Sequence, residues 1–204
     1  MDLFYSPRCL AYHAAGHPER PDRLRSITAA LQHPNHAARH TWHEPQPGQD
    51  ADLLRVHSPA HLAAVASGDY YDGDTPHFPN SDALARLASG AAIGAAETAA
   101  AGSPSFSLMR PPGHHAEQNR IMGFCYYNHL AVAVARLLDT GPIDRIAIFD
   151  FDCHHGNGTE NIFRDHSQVL FVSLHQSPCY PGTGLRSAGN CHNYPLPPGT
   201  GPAE

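Results

Sequence analysis

The run Asp150-Phe151-Asp152-Cys153-His154-His155-Gly156-Asn157-Gly158 gathers carboxylates and imidazoles directly after the apolar stretch Ile146-Ala147-Ile148-Phe149. In an extended strand, side chains two apart share a face, so Asp150, Asp152 and His154 are expected to project the same way. A carboxylate and an imidazole on one face are a ready pair of ligands for a divalent metal, zinc foremost. By the same alternation Cys153 faces away and is not counted as a ligand. Gly156 and Gly158 permit a tight turn that brings backbone close to these groups, with the Asn157 amide at the strand end. A second imidazole pair, His114-His115, sits in Arg110-Pro111-Pro112-Gly113-His114-His115-Ala116-Glu117. Either segment alone reads as a polar turn. Together they point to a metal-dependent hydrolase.

These loops need a scaffold, and the periodicity supplies one. Pro21 opens a helix carrying Leu24, Ile27 and Leu31, and Ser58-Pro59 opens another with Leu62 and Val65 on one face, ended by Gly68. The segment from Asp69 to Asn80 is turn-rich and reads as an exposed loop. Ser81 caps an Ala-rich helix running to about Ala101, with Leu84, Leu87, Ala91 and Ala95 inward; Gly90 and Gly94 permit close packing. Phe106 to Met109 reads as a short buried strand, and Asn128 caps a helix with Leu130, Val134, Leu137 and Leu138, closed by Gly141-Pro142. Ile146 to Phe151 and Val169 to Leu174 read as buried strands, with a short helix from Thr159 to Phe163 between them. Tyr5-Ser6-Pro7 reads as a strand end or loop, and Pro195 to Glu204 as a Pro- and Gly-rich end without a closing element. Apolar strands alternating with helices predict an α/β protein with a parallel sheet, in which function collects at the carboxyl ends of the strands. Both His-rich segments lie there.

With 204 residues the default is one domain. A net charge of −6 and a complete lack of lysine argue against a nucleic-acid surface, because phosphate neutralisation needs basic clusters. Five cysteines without C-x-x-C spacing argue against a disulfide framework. No stretch resembles a signal peptide or a membrane span, so a cytoplasmic location is expected. His33, His36 and His40 read as solvated loop residues.

Four ordered motifs carry a resemblance. Arg110-Pro-Pro-Gly-His-His-Ala-Glu117, Gly123-Phe-Cys-Tyr-Tyr-Asn128, Asp150-Phe-Asp-Cys-His-His-Gly-Asn-Gly-Thr159 and Ser173-Leu-His-Gln with Tyr180-Pro-Gly-Thr-Gly184 resemble the histone deacetylase and acetylpolyamine amidohydrolase superfamily, class II and bacterial branch. Tyr5-Ser-Pro7 and Gly16-His-Pro-Glu-Arg-Pro21 match as well. The resemblance implies a three-layer α/β/α arrangement with a mainly parallel sheet, the arginase–deacetylase fold. It implies zinc-dependent hydrolysis of an acetyl or other acyl amide on a lysine side chain or polyamine, so an acylated lysine peptide or acetylpolyamine is the expected partner. A homo-oligomer is compatible with it.

Residue by residue, the resemblance implies that Asp152 and His154 are zinc ligands. His115 would be the general base toward the attacking water and later the acid for the leaving amine, with His114 as its electrostatic partner. Asp150 and Asn157 would hold the far nitrogens of His114 and His115. Asp150 and Ser173, with backbone carbonyls of Asp152, His154 and Leu174, resemble the family's structural monovalent-cation site, a K+ site. Phe124 and Tyr180 would wall the acyl-lysine tunnel, Gly123 would line it, and Asp74 or Asp72 would be the rim carboxylate. The family's third zinc ligand, an aspartate on a later strand, and its transition-state tyrosine have no counterpart before Glu204. The expectation is thus a domain truncated at the C-terminus. A catalytically impaired acyl-lysine-binding or interaction module and an arginase-like hydrolase using manganese or another divalent metal are the alternatives.

Overall fold

The structure is a computed structural model that describes residues 1–201 apart from Tyr71 and Pro142. Among the described residues its strands form parallel pairs only. β1 (Asp2–Phe4) lies between β2 (Thr41–His43) and β3 (Ser105–Ser107); β5 (Val169–Gln176) lies between β4 (Ile146–Asp150) and β6 (Cys191–Leu196). Parallel neighbours cannot be joined by a hairpin, so the crossovers must be long, and most are helical. α1 (Asp22–Gln32) and α2 (Pro34–Ala37) join β1 to β2. α3 (Asp50–Leu53), α4 (Pro59–Ser67) and α5 (Ser81–Ala100) lead to β3, α6 (His129–Thr140) to β4, and α7 (Asn157–Phe163) to β5. The α/β class expected from the sequence is present, as two three-stranded sheets among the described residues.

The caps follow from residue type. Ser58 Oγ accepts the His61 N–H at 3.2 Å, Pro59 stands at the first turn, and Gly68 ends α4 at φ 77°. Asn128 Oδ1 accepts the Ala131 N–H at 3.1 Å and starts α6. Ser81 is the first residue of α5 rather than its cap, because its hydroxyl turns back to accept the Phe78 N–H at 2.9 Å. α7 begins at Asn157, two residues earlier than expected, and β3 ends at Ser107 with Phe106 exposed rather than buried. Pro142 and Glu204 lie outside the described residues.

One core joins α4, α5, α6 and α7 to the β4–β6 sheet through Val65, Ile93, Val132, Phe163, Ile148 and Phe171. A second joins α1 to α5 through Leu24, Leu87 and Ala91, with Cys9 and Met109. Leu84, Leu87 and Ala91 are buried as expected; Ala95 is half-buried. At Gly90 a Cβ would strike the Gln46 carbonyl, so α5 can approach that segment only with glycine there. β5 alternates: Val169, Phe171, Ser173 and His175 are buried, while Leu170 and Leu174 are exposed beside Phe149 and Tyr194. The apolar strands are therefore buried on one face, not two. His33 and His36 are exposed, His36 within α2, and His40 is half-buried. Among the described residues no helix is long and apolar enough to cross a membrane.

Candidate functional site

β4 ends at Asp150, which pairs in register with Ser173 of β5. Beyond it the chain bends through residues 152–154, so the strand alternation expected there does not apply. Convergence comes instead from the bends. Asp150 Oδ1 accepts the Asp152 N–H at 3.1 Å, and Asp152 Oδ1 accepts the His154 N–H at 2.8 Å. Asp152 Oδ1 and His154 Nδ1 end 3.0 Å apart. The bends also overturn the expectation for Cys153, whose Sγ lies 3.5 Å from His154 Nδ1 rather than facing away. Burial pushes the Asp152 carboxyl up, but the His154 N–H and the neighbouring imidazoles outweigh it and hold the group below its usual range.

The Pro-Pro-Gly loop brings the imidazole pair to the same place. His114 Nδ1–H donates to Asp150 Oδ2 at 2.8 Å; burial disfavours its cation, but Asp150 outweighs burial and raises its pKa. His115 is buried, and its Nδ1–H donates to Asn157 Oδ1 at 2.7 Å. That amide is oriented by its own Nδ2, which donates to Glu117 Oε1 at 2.8 Å. His115 Nε2 is thereby left as the unprotonated nitrogen. Burial first, then the neighbouring His114, lowers the His115 pKa to about 4, so the ring is neutral at pH 7. Its ring centroid lies 4.0 Å from that of His114, 5.9 Å from His154 and 5.0 Å from Tyr180.

These groups line a cavity of about 500 Å³ together with Asp74, Phe124, Tyr180 and Arg23. Gly123 stands at φ 58°, and a Cβ there would lie 2.5 Å from the His115 ring. Phe124 also adopts a left-handed backbone, at φ 69°, stabilised where its N–H donates to Thr75 Oγ1 at 2.8 Å. Asp72 Oδ2 accepts the Gly123 N–H at 3.3 Å and the Thr75 hydroxyl, so Asp72 is occupied internally while Asp74 is exposed and lines the cavity. The segment from Asp69 to Asn80 is thus more than an exposed loop, since Thr75 is buried. The Tyr180 loop is anchored by His155, whose Nδ1 meets Thr183 Oγ1 and whose Nε2–H donates to Glu160, each at 2.8 Å. Ser173 Oγ, buried beside Asp150, contacts His175 Nδ1 at 3.0 Å.

Sequence reasoning missed Glu117, Thr75 and Glu160, all of which fix a site residue without lining the cavity. Glu117 closes the Pro-Pro-Gly-His-His motif, and that was the available signal. A zinc ion accepts a carboxylate oxygen and an imidazole nitrogen in two of its four positions. Asp152 and His154 fit that donor set: they converge, and among the described residues the carboxylate meets only imidazoles and local backbone N–H groups.

A histone deacetylase domain profile matches residues 17–204. The chain is similar to an uncharacterized protein of Synechocystis, 39% identical over 97% of this chain and 69% of that one. It is similar to a histone deacetylase-like amidohydrolase of Pseudomonas aeruginosa, 38% identical over 92% of this chain and 53% of that one. A probable deacetylase of Methanothermobacter thermautotrophicus is 38% identical over 91% of this chain and 57% of its own length. The crystal structure of the HDA15 HD domain superposes with TM-score 0.87 at 34% identity, covering 96% of this chain and 63% of that one. The chain thus spans about half to two-thirds of the length of the proteins it matches.

Proposed function

Because this chain belongs to the histone deacetylase domain family, we propose that it carries the chemistry of a zinc-dependent amidohydrolase acting on acylated lysine side chains or acylated polyamines. The observation that supports this reading most is His115, with Nδ1 committed to Asn157 and a neutral ring facing the Asp152–His154 pair in the same cavity. Asp152 and His154 would hold the zinc, which when bound would polarise the acyl carbonyl and make a water more acidic.

The remaining work falls to the chain's own groups. His115 Nε2 takes the proton of the attacking water and returns it to the departing amine. His114, held toward the cationic form by Asp150, adds positive charge beside the developing oxyanion. Phe124, Tyr180 and Gly123 exclude water around the acyl-bearing side chain, and the Asp74 carboxylate holds the substrate at the rim. The Asp150 and Ser173 side chains, with the carbonyls of Asp152, His154 and Leu174, are proposed to cradle a structural K+.

The test is release of acetate from an acetyl-lysine peptide and from an acetylpolyamine, on chelated and zinc-restored samples. It is run on this chain and on one carrying it at its relatives' length. Turnover restored by zinc and abolished by His115→Ala supports the reading. Turnover that ignores both chelation and His115 contradicts it.

A further inference from the structure

His115 is oriented by the Asn157 amide, and that amide has two ways to face it. The backbones of the two segments are locked together. The Gly158 and Thr159 N–H groups both donate to the His114 carbonyl, at 3.0 and 3.2 Å, and a Cβ on Gly158 would lie 2.3 Å from the Ala116 carbonyl oxygen. The freedom that remains is a half-turn of the amide, which exchanges its oxygen and its nitrogen. His115 does not choose between the two, because a neutral imidazole either donates or accepts at Nδ1. The choice falls to the groups on the far side of the amide. Among the described residues Asn157 Nδ2 meets acceptors alone there: Glu117 Oε1 at 2.8 Å, the Met122 sulfur at 3.4 Å and the His115 carbonyl at 3.5 Å. A thioether accepts weakly and the 3.5 Å contact is long, so the carboxylate sets the orientation.

Glu117 is placed by its own main chain. Its N–H donates to the Arg120 carbonyl at 3.0 Å, and its carbonyl accepts from His57 Nδ1–H at 3.1 Å. That His57 tautomer is fixed, because His57 Nε2 accepts the Asn128 N–H at 2.9 Å. The Glu117 side chain lines a hollow of about 340 Å³ beside α7, with Asn161, Arg164 and Thr183, and not the cavity of His115.

We propose that Glu117 is a positioning residue for the base: its carboxylate holds Asn157 Oδ1 toward His115, which keeps the imidazole proton on Nδ1 and leaves Nε2 bare in the cavity. The catalytic meaning of this control rests on the reading of His115 as the base. In Glu117→Gln an amide faces an amide, so Asn157 is free to turn, accept from the new side-chain N–H and donate to His115 Nδ1. The proton then resides on Nε2, and the ring has no lone pair for the attacking water. Adding Asn157→Asp repairs the fault, because a carboxylate accepts on both sides.

The test reads the His115 tautomer in the intact chain, labelled with nitrogen-15 at histidine, from long-range proton–nitrogen spectra near neutral pH. The His115 signals are identified by their loss in His115→Gln. The wild type is expected to show Nδ1–H, Glu117→Gln to show Nε2–H as the major form, and Glu117→Gln with Asn157→Asp to return to Nδ1–H. In turnover of an acetyl-lysine peptide, Glu117→Gln is expected to lose about 10–100-fold in kcat with little change in KM, and the double variant to regain most of it. Circular dichroism checks each fold; where Glu117→Gln does not fold, recovery of both fold and Nδ1–H in the double variant supports the pairing, and failure to recover them overturns it. Nε2–H in the wild type, or Nδ1–H retained in a folded Glu117→Gln, overturns the role of Glu117 and leaves the assignment of His115 to be judged by His115→Ala. A tautomer switch in a chain whose zinc-loaded wild type has no turnover leaves the control of His115 standing and counts against the functional reading alone.

Discussion

Two charged clusters lie within the same motifs and are built on opposite principles. Arg110 opens the Pro-Pro-Gly-His-His motif, yet it is fully buried and saturated: Nε and Nη2 donate to Glu19 at 2.6 and 2.5 Å, and Nη1 donates to the Cys9 carbonyl at 2.8 Å. Tyr12 donates to the same Glu19 at 2.7 Å, and its ring lies 4.1 Å beneath the guanidinium. The Asp152–His154 pair is exposed or half-exposed, and its side chains meet mainly one another. A buried pair must be paired to exist at all. Solvated donors that converge mainly on one another have coordination capacity left over. The first cluster supports the loop under the site; the second is poised to take up a cation.

The largest effect is expected where that contrast is broken from the buried side. Glu19→Gln leaves the Arg110 cation buried without a counter-charge and is expected to cost about 3–5 kcal/mol in urea denaturation. A cost near zero would mean the pair is not the support it resembles. His115→Ala is expected to lower kcat/KM about 10²–10⁴-fold for an acetyl-lysine peptide with stable folding, since it removes the general base. Asn157→Ala, which frees His115 Nδ1 at a residue that does not line the cavity, is expected to cost about 10–100-fold, as for other partners of a functional imidazole. Equal losses in these two variants would place Asn157 on the reaction path itself. At the small end, Asp152→Asn is expected to change stability by no more than about 0.5 kcal/mol, as for surface sites, while weakening zinc binding sharply. A large stability loss there would erase the distinction between the clusters.

Acid sharpens the same contrast. His57, His115 and His129 are buried, with pKa values lowered by burial from 6.5 to about 3, 4 and 4. Below pH 6.5 the unfolded chain takes protons that these folded rings refuse, so stability falls as pH drops from about 6.5 toward 4. Glu19 is also lowered despite burial, because Arg110 and Tyr12 outweigh it, and its contribution is lost as pH falls through its folded value. His114 is raised and acts the other way, stabilising below 6.5, but it opposes several lowered groups, among them His61, His175 and Glu160 as well as the four above. Denaturation midpoints between pH 4 and 7 should rise with pH; a flat profile would contradict the burial of these rings.

Legibility in the sequence followed residue type. The His114-His115 and Asp150 to Gly158 segments declared themselves because few other reasons gather imidazoles and carboxylates so densely. The scaffold helices declared themselves through caps such as Ser58 and Asn128. β2 and β6 did not: each is short and partly polar, and β6 carries Pro195, which an edge strand tolerates. Its Asn193 is polar because it serves the His155–Glu160 anchor, donating to Glu160 at 2.7 Å. The bend that brings Cys153 toward His154 was hidden for a different reason. Residue alternation predicts facing only while the chain stays extended, and nothing in the run Asp150 to His154 marks where extension stops.

The most direct measurement is anomalous diffraction at the zinc edge from crystals of the zinc-loaded chain. One dominant peak within about 2.0–2.3 Å of an Asp152 carboxylate oxygen and of His154 Nδ1, facing the His115 ring, is the expected result. A zinc bound elsewhere, with Asp152 and His154 still joined only to each other, would contradict it.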